Sequence, residues 1–255
     1  MMKSIRRRAL ERKVVAGTFL NLGSAVTAEI AGKSGLDWVL IDIEHGASDL
    51  ETLRIQLQVV SGTPAVPIVR IAANEPPRFK RVLDMGASGV MVPYVSTVAE
   101  AEQAVASSRY PPRGIRGVAK LNRGSEFGRD FEEYFSKSHE LLTTVVQIET
   151  PEAVNAIDDI AAVDGVDVLF IGPLDLSVNL GIPQQFDHPR FLDARARVSH
   201  AARQAGKAAG ILLLDPDHLD AAVRDGFTFI ALGSDGGLVA AGMQNVSAAF
   251  DPHTA

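Results

Sequence analysis

The chain has 255 residues, no cysteine, a formal net charge of −6 and 46 % hydrophobic residues. That length and composition suit one large α/β domain, and the acidic balance argues against electrostatic binding of nucleic acid. Without cysteine there is no disulfide framework, thiol nucleophile or thiolate metal site; no apolar stretch reaches the length of a membrane span, so the expectation is a soluble cytoplasmic protein.

The basic start, Met1 to Arg8, lacks the apolar centre of a signal peptide and reads as the opening of a helix over residues 5–13. From there, short β-branched runs alternate with segments of helical spacing. Strands over residues 15–20, 38–42, 66–70 and 89–92 are followed by helices over 25–33, 49–60, 76–85 and 98–107. Strands over 144–148, 168–171, 209–214 and 229–232 are followed by helices over 151–161, 190–205, 216–224 and 237–250. Gly35, Gly86, Gly206 and Gly226 suit left-handed helix ends, and Pro76, Pro151 and Pro216 suit first-turn positions. Eight strand–helix units imply a parallel sheet closed into a TIM (β/α)8 barrel, a single domain over residues 1–255. A doubly wound open sheet is the alternative, but Asn21-Leu22-Gly23-Ser24 is not the glycine-rich phosphate turn that it usually carries. One long insertion, from Arg109 to about Glu140, interrupts the rhythm, with an exposed helix expected over 130–141.

Function in such a barrel sits at the carboxyl ends of the strands. Those positions hold Phe19 and Asn21; Asp42, Glu44 and His45; Arg70; Pro93 and Tyr94; Gln147 and Glu149; Gly172 and Asp175; Leu213 and Leu214; and Gly233, Ser234 and Asp235. Glu149 and Asp175 follow successive buried strands and could share one divalent cation. Two carboxylates without soft ligands suit magnesium or manganese, which keep water or accept substrate oxygens. Asp42, three residues before His45, could fix the tautomer of its ring for acid–base work, or the two could be a capping pair. The Arg70 fork suits a carboxylate or a developing enolate oxygen, or a rim salt bridge. No lysine ends a strand, which disfavours a Schiff base. Open alternatives are an acyl-CoA carbon–carbon lyase, a non-catalytic metabolite-binding barrel, and a phosphate site at residues 233–237.

The runs Leu40-Ile41-Asp42-Ile43-Glu44-His45, Pro67-Ile68-Val69-Arg70, Ser108 to Gly117, Val146-Gln147-Ile148-Glu149 and Phe170 to Ser177 resemble the HpcH/HpaI-type class II pyruvate aldolases. These include the 4-hydroxy-2-oxoheptanedioate and 5-keto-4-deoxyglucarate aldolases. The resemblance runs from about Gly17 to Ala249. It implies reversible cleavage of a 4-hydroxy-2-oxo acid to pyruvate and an aldehyde through a pyruvate enolate. Magnesium, manganese or cobalt would be held by Glu149 and Asp175, with His45 and Asp42 as the acid–base dyad. Arg70, Gln147 and the N–H groups of Leu174 and Asp175 would hold the pyruvyl part, with Phe19, Gly172 and Leu213 around the substrate. It further implies a last helix exchanged between subunits, a hexamer of paired trimers, and Asp84 presented to a neighbour's site. Departures at Phe19, where many relatives carry tryptophan, and at residues 119–123 concern the acceptor aldehyde. Residues 74–76 and 233–235 are closer to the glucarate-type enzymes.

Overall fold

The computed structural model describes residues 3–250; the ends of the expected domain, residues 1–2 and 251–255, lie outside the described residues. Its strands are β1 (Val15–Leu20), β2 (Trp38–Asp42), β3 (Val66–Arg70), β4 (Gly89–Val92), β5 (Thr143–Ile148), β6 (Val168–Ile171), β7 (Ala208–Leu213) and β8 (Phe227–Ser234). All pair in parallel and in sequence order, and β8 closes on β1. The fold is the expected (β/α)8 barrel, and the open sheet is excluded. Every residue of β2 to β6 is buried. Helices cover the outer face and opposing strands fill the inner one, so these strands read as nearly unbroken apolar runs.

Side chains on a strand alternate between two faces, and here the faces feed two cores. Val39, Ile41, Val69, Val146 and Ile171 face the helices. Trp38, Leu40, Ile68, Met91, Val145, Phe170 and Phe229 fill the barrel. Trp38 stacks on Phe229 with ring centroids 4.3 Å apart. Gly17 permits it, because a Cβ there would lie 2.2 Å from the indole. The N-terminal helix, Arg6–Leu10, is shorter than expected. It closes the amino end of the barrel: Ile5 and Ala9 join the inner core, and Arg6 Nε pairs with Asp167 at 2.9 Å.

Further elements differ from the sequence reading. The helix expected over 151–161 breaks at Ala156, whose ψ of 12° leaves helical geometry, into Pro151–Asn155 and Ile157–Ala162. A helix of seven residues, Pro173–Asn179, follows β6 directly; it is too short to show periodicity, and Pro173 starts it. The helix Phe131–Leu141 is not simply exposed, because it buries Tyr134 and Ser138. The reason is Arg116, whose fully buried guanidinium donates to the Tyr134 hydroxyl at 3.0 Å and pairs with Asp84 at 2.7 Å.

The last helix, Asp235–Ala248, buries only Asp235, leaving Leu238, Val239, Met243 and Val246 in solvent. Among the described residues, no helix is long and apolar enough to cross a membrane.

Candidate active site

Register places the first charged group. Asp42 and Arg70 are partners across β2 and β3, so both side chains leave the barrel's inner face at its carboxyl mouth. Arg70 Nε and Nη2 donate to the Asp42 carboxylate at 3.0 and 2.7 Å, a two-pronged pairing of buried groups. Glu44 approaches the same Nε at 3.1 Å, and the guanidinium lies 5.3 Å from the centroid of the Phe19 ring. Burial pushes the Asp42 carboxyl up, but the hydrogen bonds and charge of Arg70 outweigh it and hold it below the usual range. Glu44 is raised, first by burial and then by its acidic neighbours Asp42 and Asp175, although Arg70 opposes this.

The Asp42–His45 dyad does not form as the sequence suggested. Asp42 accepts from the backbone N–H groups of Glu44 at 3.0 Å and His45 at 3.3 Å. Its carboxylate is thus taken by Arg70 and by the turn, not by the imidazole. The His45 ring is two-thirds exposed, with Nε2 3.9 Å from Glu44 Oε1. The salt-bridge reading of Arg70 is therefore realised geometrically, whereas Asp42 closes its own 42–45 turn and caps no helix; the next helix, Leu50–Ser61, is capped by Asp49.

On the opposite side of the mouth, Glu149 follows β5 and is almost wholly buried. Gln147 Nε2 donates to its Oε1 at 2.7 Å, and the Tyr94 backbone N–H to its Oε2 at 3.1 Å. Burial pushes the carboxyl up to about 7; the charges of Asp175 and Glu44 add to this, and the Tyr94 N–H and Arg70 counter it. Asp175, in the first turn of Pro173–Asn179, accepts from the Tyr94 hydroxyl at 2.8 Å. That bond to Asp175, with some burial, pushes the phenol up to about 12. Gly172 passes so close that a Cβ there would sit 2.1 Å from Glu149 Oε1.

This donor set fits a divalent cation. Glu149 is a buried carboxylate whose ionised form lacks a compensating cation among its direct partners, and the neighbouring Gln147 Oε1 is buried without a hydrogen-bond partner. Among the described residues, no group of three or more His, Cys, Asp or Glu side chains is arranged to hold a metal. A cation on Glu149 and Asp175 could complete its shell with water or substrate oxygens, as hard ions do.

Other expected residues are placed differently. Leu213 belongs to the helix-facing core, whereas Leu212 packs against the inner one; the period-two alternation of β7 decides this, so Leu213 does not face the mouth. Leu174 is half exposed at the start of its helix. Asp84 ends helix Pro76–Asp84 near the amino end of the barrel, away from its own mouth, and is paired with Arg116. The structure disfavours the phosphate reading of residues 233–237, because the Gly236 and Gly237 N–H groups are already used and the Asp235 carboxylate fills the turn. Gly236 N–H donates to Asn21 Oδ1 and Asp235 Oδ1, and Gly237 N–H to Ser234 Oγ. Residues that the sequence reading left without a role are Glu44, Tyr94 and Leu212, and also Asn179, whose Nδ2 donates to the Glu149 carbonyl at 2.8 Å. Glu44 and Tyr94 are among the strand-end positions that the sequence singles out, and Leu212 lies beside one of them; Asn179 has no such signal. A cavity of about 420 Å³ at the amino end, lined by Lys3, Gly86, Arg123 and Tyr134, is remote from these carboxylates.

The model of the HpcH/HpaI aldolase/citrate lyase family matches residues 15–241. The 5-keto-4-deoxy-D-glucarate aldolase of Shigella boydii is 39 % identical over 241 residues, covering 94 % of this chain and 93 % of its own. Among solved structures, an HpcH/HpaI aldolase/citrate lyase family protein from Burkholderia cenocepacia superposes with a TM-score of 0.91 at 34 % identity, covering 96 % of this chain and 98 % of its own. The HpcH/HpaI aldolase of Desulfitobacterium hafniense gives a TM-score of 0.88 at 30 % identity, with 98 and 97 % coverage. The chain belongs to the HpcH/HpaI aldolase/citrate lyase family. It is an enzyme of the aldolase type, a carbon–carbon lyase.

Proposed function

We propose that this single-barrel enzyme reversibly cleaves a 4-hydroxy-2-oxo acid to pyruvate and an aldehyde, with Glu149 and Asp175 holding a divalent cation. The observation that carries this reading is the pair of carboxylates, Glu149 and Asp175, set across the mouth from the Arg70 fork. When bound, the cation supplies Lewis acidity that polarises the 2-oxo group. Magnesium, manganese and cobalt all suit two carboxylates and a hard-oxygen substrate.

The chain's own groups divide the remaining work. Arg70 uses Nε and Nη2 on Asp42, and Nη1, which makes no hydrogen bond among the described residues, faces the pyruvyl oxygens. The N–H groups of Leu174 and Asp175 take the substrate carboxylate, Gln147 Oε1 lies beside the cation position, and Gly172 and Phe19 shape the pyruvyl pocket. His45 takes the C4 hydroxyl proton. The C3–C4 bond then breaks, its electron pair passes into the pyruvate enolate, and the aldehyde leaves. Arg70 stabilises the enolate as a fixed positive charge, and a proton returned to C3 completes pyruvate. Asp42 holds Arg70 and the 44–45 turn in place for these steps.

The active form is a homo-oligomer, a hexamer of paired trimers, in the cytoplasm. A last helix that buries one residue and exposes four large apolar ones supports exchange between subunits. Asp84, remote from its own mouth, is available to a neighbour's. Likeness to a 5-keto-4-deoxy-D-glucarate aldolase makes hydroxylated acidic acceptors such as tartronate semialdehyde the first to test.

The decisive experiment is a retro-aldol screen of 4-hydroxy-2-oxo acids with pyruvate release coupled to a reporter. Activity abolished by chelator and restored by magnesium, manganese or cobalt is expected. Full activity in excess chelator, or borohydride trapping of an imine, would refute the proposal.

A further inference from the structure

Tyr94 touches both carboxylates of the site through different atoms. Its backbone N–H donates to Glu149 Oε2 at 3.1 Å, and its hydroxyl to Asp175 Oδ1 at 2.8 Å. The two acids stand on different loops, after β5 and β6, and Tyr94 comes from a third, just after β4. No other side chain is hydrogen-bonded to Asp175 among the described residues.

The backbone reaches this arrangement at a conformational cost. Tyr94 has φ of +51°, a left-handed conformation that bulky side chains rarely adopt. Such geometry is retained when surrounding contacts fix it, commonly at functional sites. Here Val95 N–H donates to the Gln147 carbonyl at 3.2 Å, tying the following residue to β5. The turn aims the N–H of Tyr94 into the mouth while its half-exposed ring crosses to Asp175.

We propose that Tyr94 is a positioning residue that aligns Glu149 and Asp175 for a shared cation, its hydroxyl holding Asp175 by Oδ1. The hydroxyl leaves Oδ2 without a hydrogen bond among the described residues. This rests on the metal-site reading above. Groups that orient metal ligands typically change affinity about 10- to 100-fold when removed.

Tyr94→Phe deletes the hydroxyl while keeping the ring, the N–H and the backbone. Manganese binding to the chelator-stripped protein, followed by electron paramagnetic resonance of the free ion, should weaken about tenfold, with the melting temperature little changed. In an Asp175→Asn background, whose weaker binding is measured first, the same substitution should have a much smaller effect, because the hydroxyl acts through the ionised carboxylate. Equal affinity in Tyr94→Phe and the unmutated protein would overturn the proposal while leaving the metal reading intact. The same loss in both backgrounds would also overturn it, since the hydroxyl would then act by another route. If the unmutated protein shows no saturable manganese binding, the metal reading falls and this proposal falls with it.

Discussion

Gly172→Ala should disable the site without unfolding the barrel. Gly172 has φ of −87° and ψ of 99°, which alanine adopts freely, so the backbone itself resists nothing. The added Cβ would lie 2.1 Å from Glu149 Oε1 and 2.8 Å from its Cγ, where ordinary contact begins near 3.4 Å. The carboxylate must therefore retreat by more than 1 Å, and it is buried and hydrogen-bonded to Gln147 and Tyr94. Displacements of about 1 Å in a reacting constellation cost on the order of 100-fold in rate, and disturbed ligands lose about 10- to 100-fold in metal affinity. Pyruvate release by Gly172→Ala at saturating manganese should thus fall by about two orders of magnitude, with a far-ultraviolet dichroism spectrum like that of the unmutated protein. Activity within threefold, with unchanged manganese affinity, would show that Glu149 has no such role.

The remaining expectations concern charge and assembly. Arg70→Ala should impair both aldol cleavage and oxaloacetate decarboxylation, since both pass through pyruvate enolate. His45→Ala should damage cleavage by about 10²–10⁴-fold and decarboxylation far less; equal losses would withdraw the histidine's proton-transfer role. Asp42→Ala should follow the Arg70 pattern, because its carboxylate grips the guanidinium. Both Asp42→Ala and Arg70→Ala should also lower the melting temperature, since breaking a buried pair costs about 3–5 kcal/mol. Raising the Glu149 carboxyl from 4.5 to about 7 disfavours its ionised form in the folded state, which corresponds to about 3 kcal/mol. The folded state then binds more protons than the unfolded one between those values, so the chelated protein should lose stability as pH rises from about 4.5 to 7. In Glu149→Gln this loss should be smaller, and an identical pH profile of melting would count against the buried-carboxylate assignment. Light scattering should report an oligomer, with Leu238→Glu and Met243→Glu weakening it; an active monomer at assay concentration would defeat the assembly reading.

What the sequence determined was the architecture and the mouth. Burial on both faces forces apolar, β-branched composition along β2 to β6, and Pro76, Pro151 and Pro216 do begin their helices or turns. Gly35, Gly86, Gly206 and Gly226 do take positive φ. With eight such units in order, the carboxyl ends of the strands could be listed without coordinates. Tertiary structure decided which of those residues meet. The register of β2 on β3 gives Asp42 to Arg70 rather than to the His45 ring. The strand alternation turns Leu213 outward and Leu212 inward. The left-handed turn after β4 carries Tyr94 to Glu149 and Asp175. Composition and periodicity are properties of a segment by itself. Partners across the barrel depend on closure, which brings groups together from segments up to 215 residues apart.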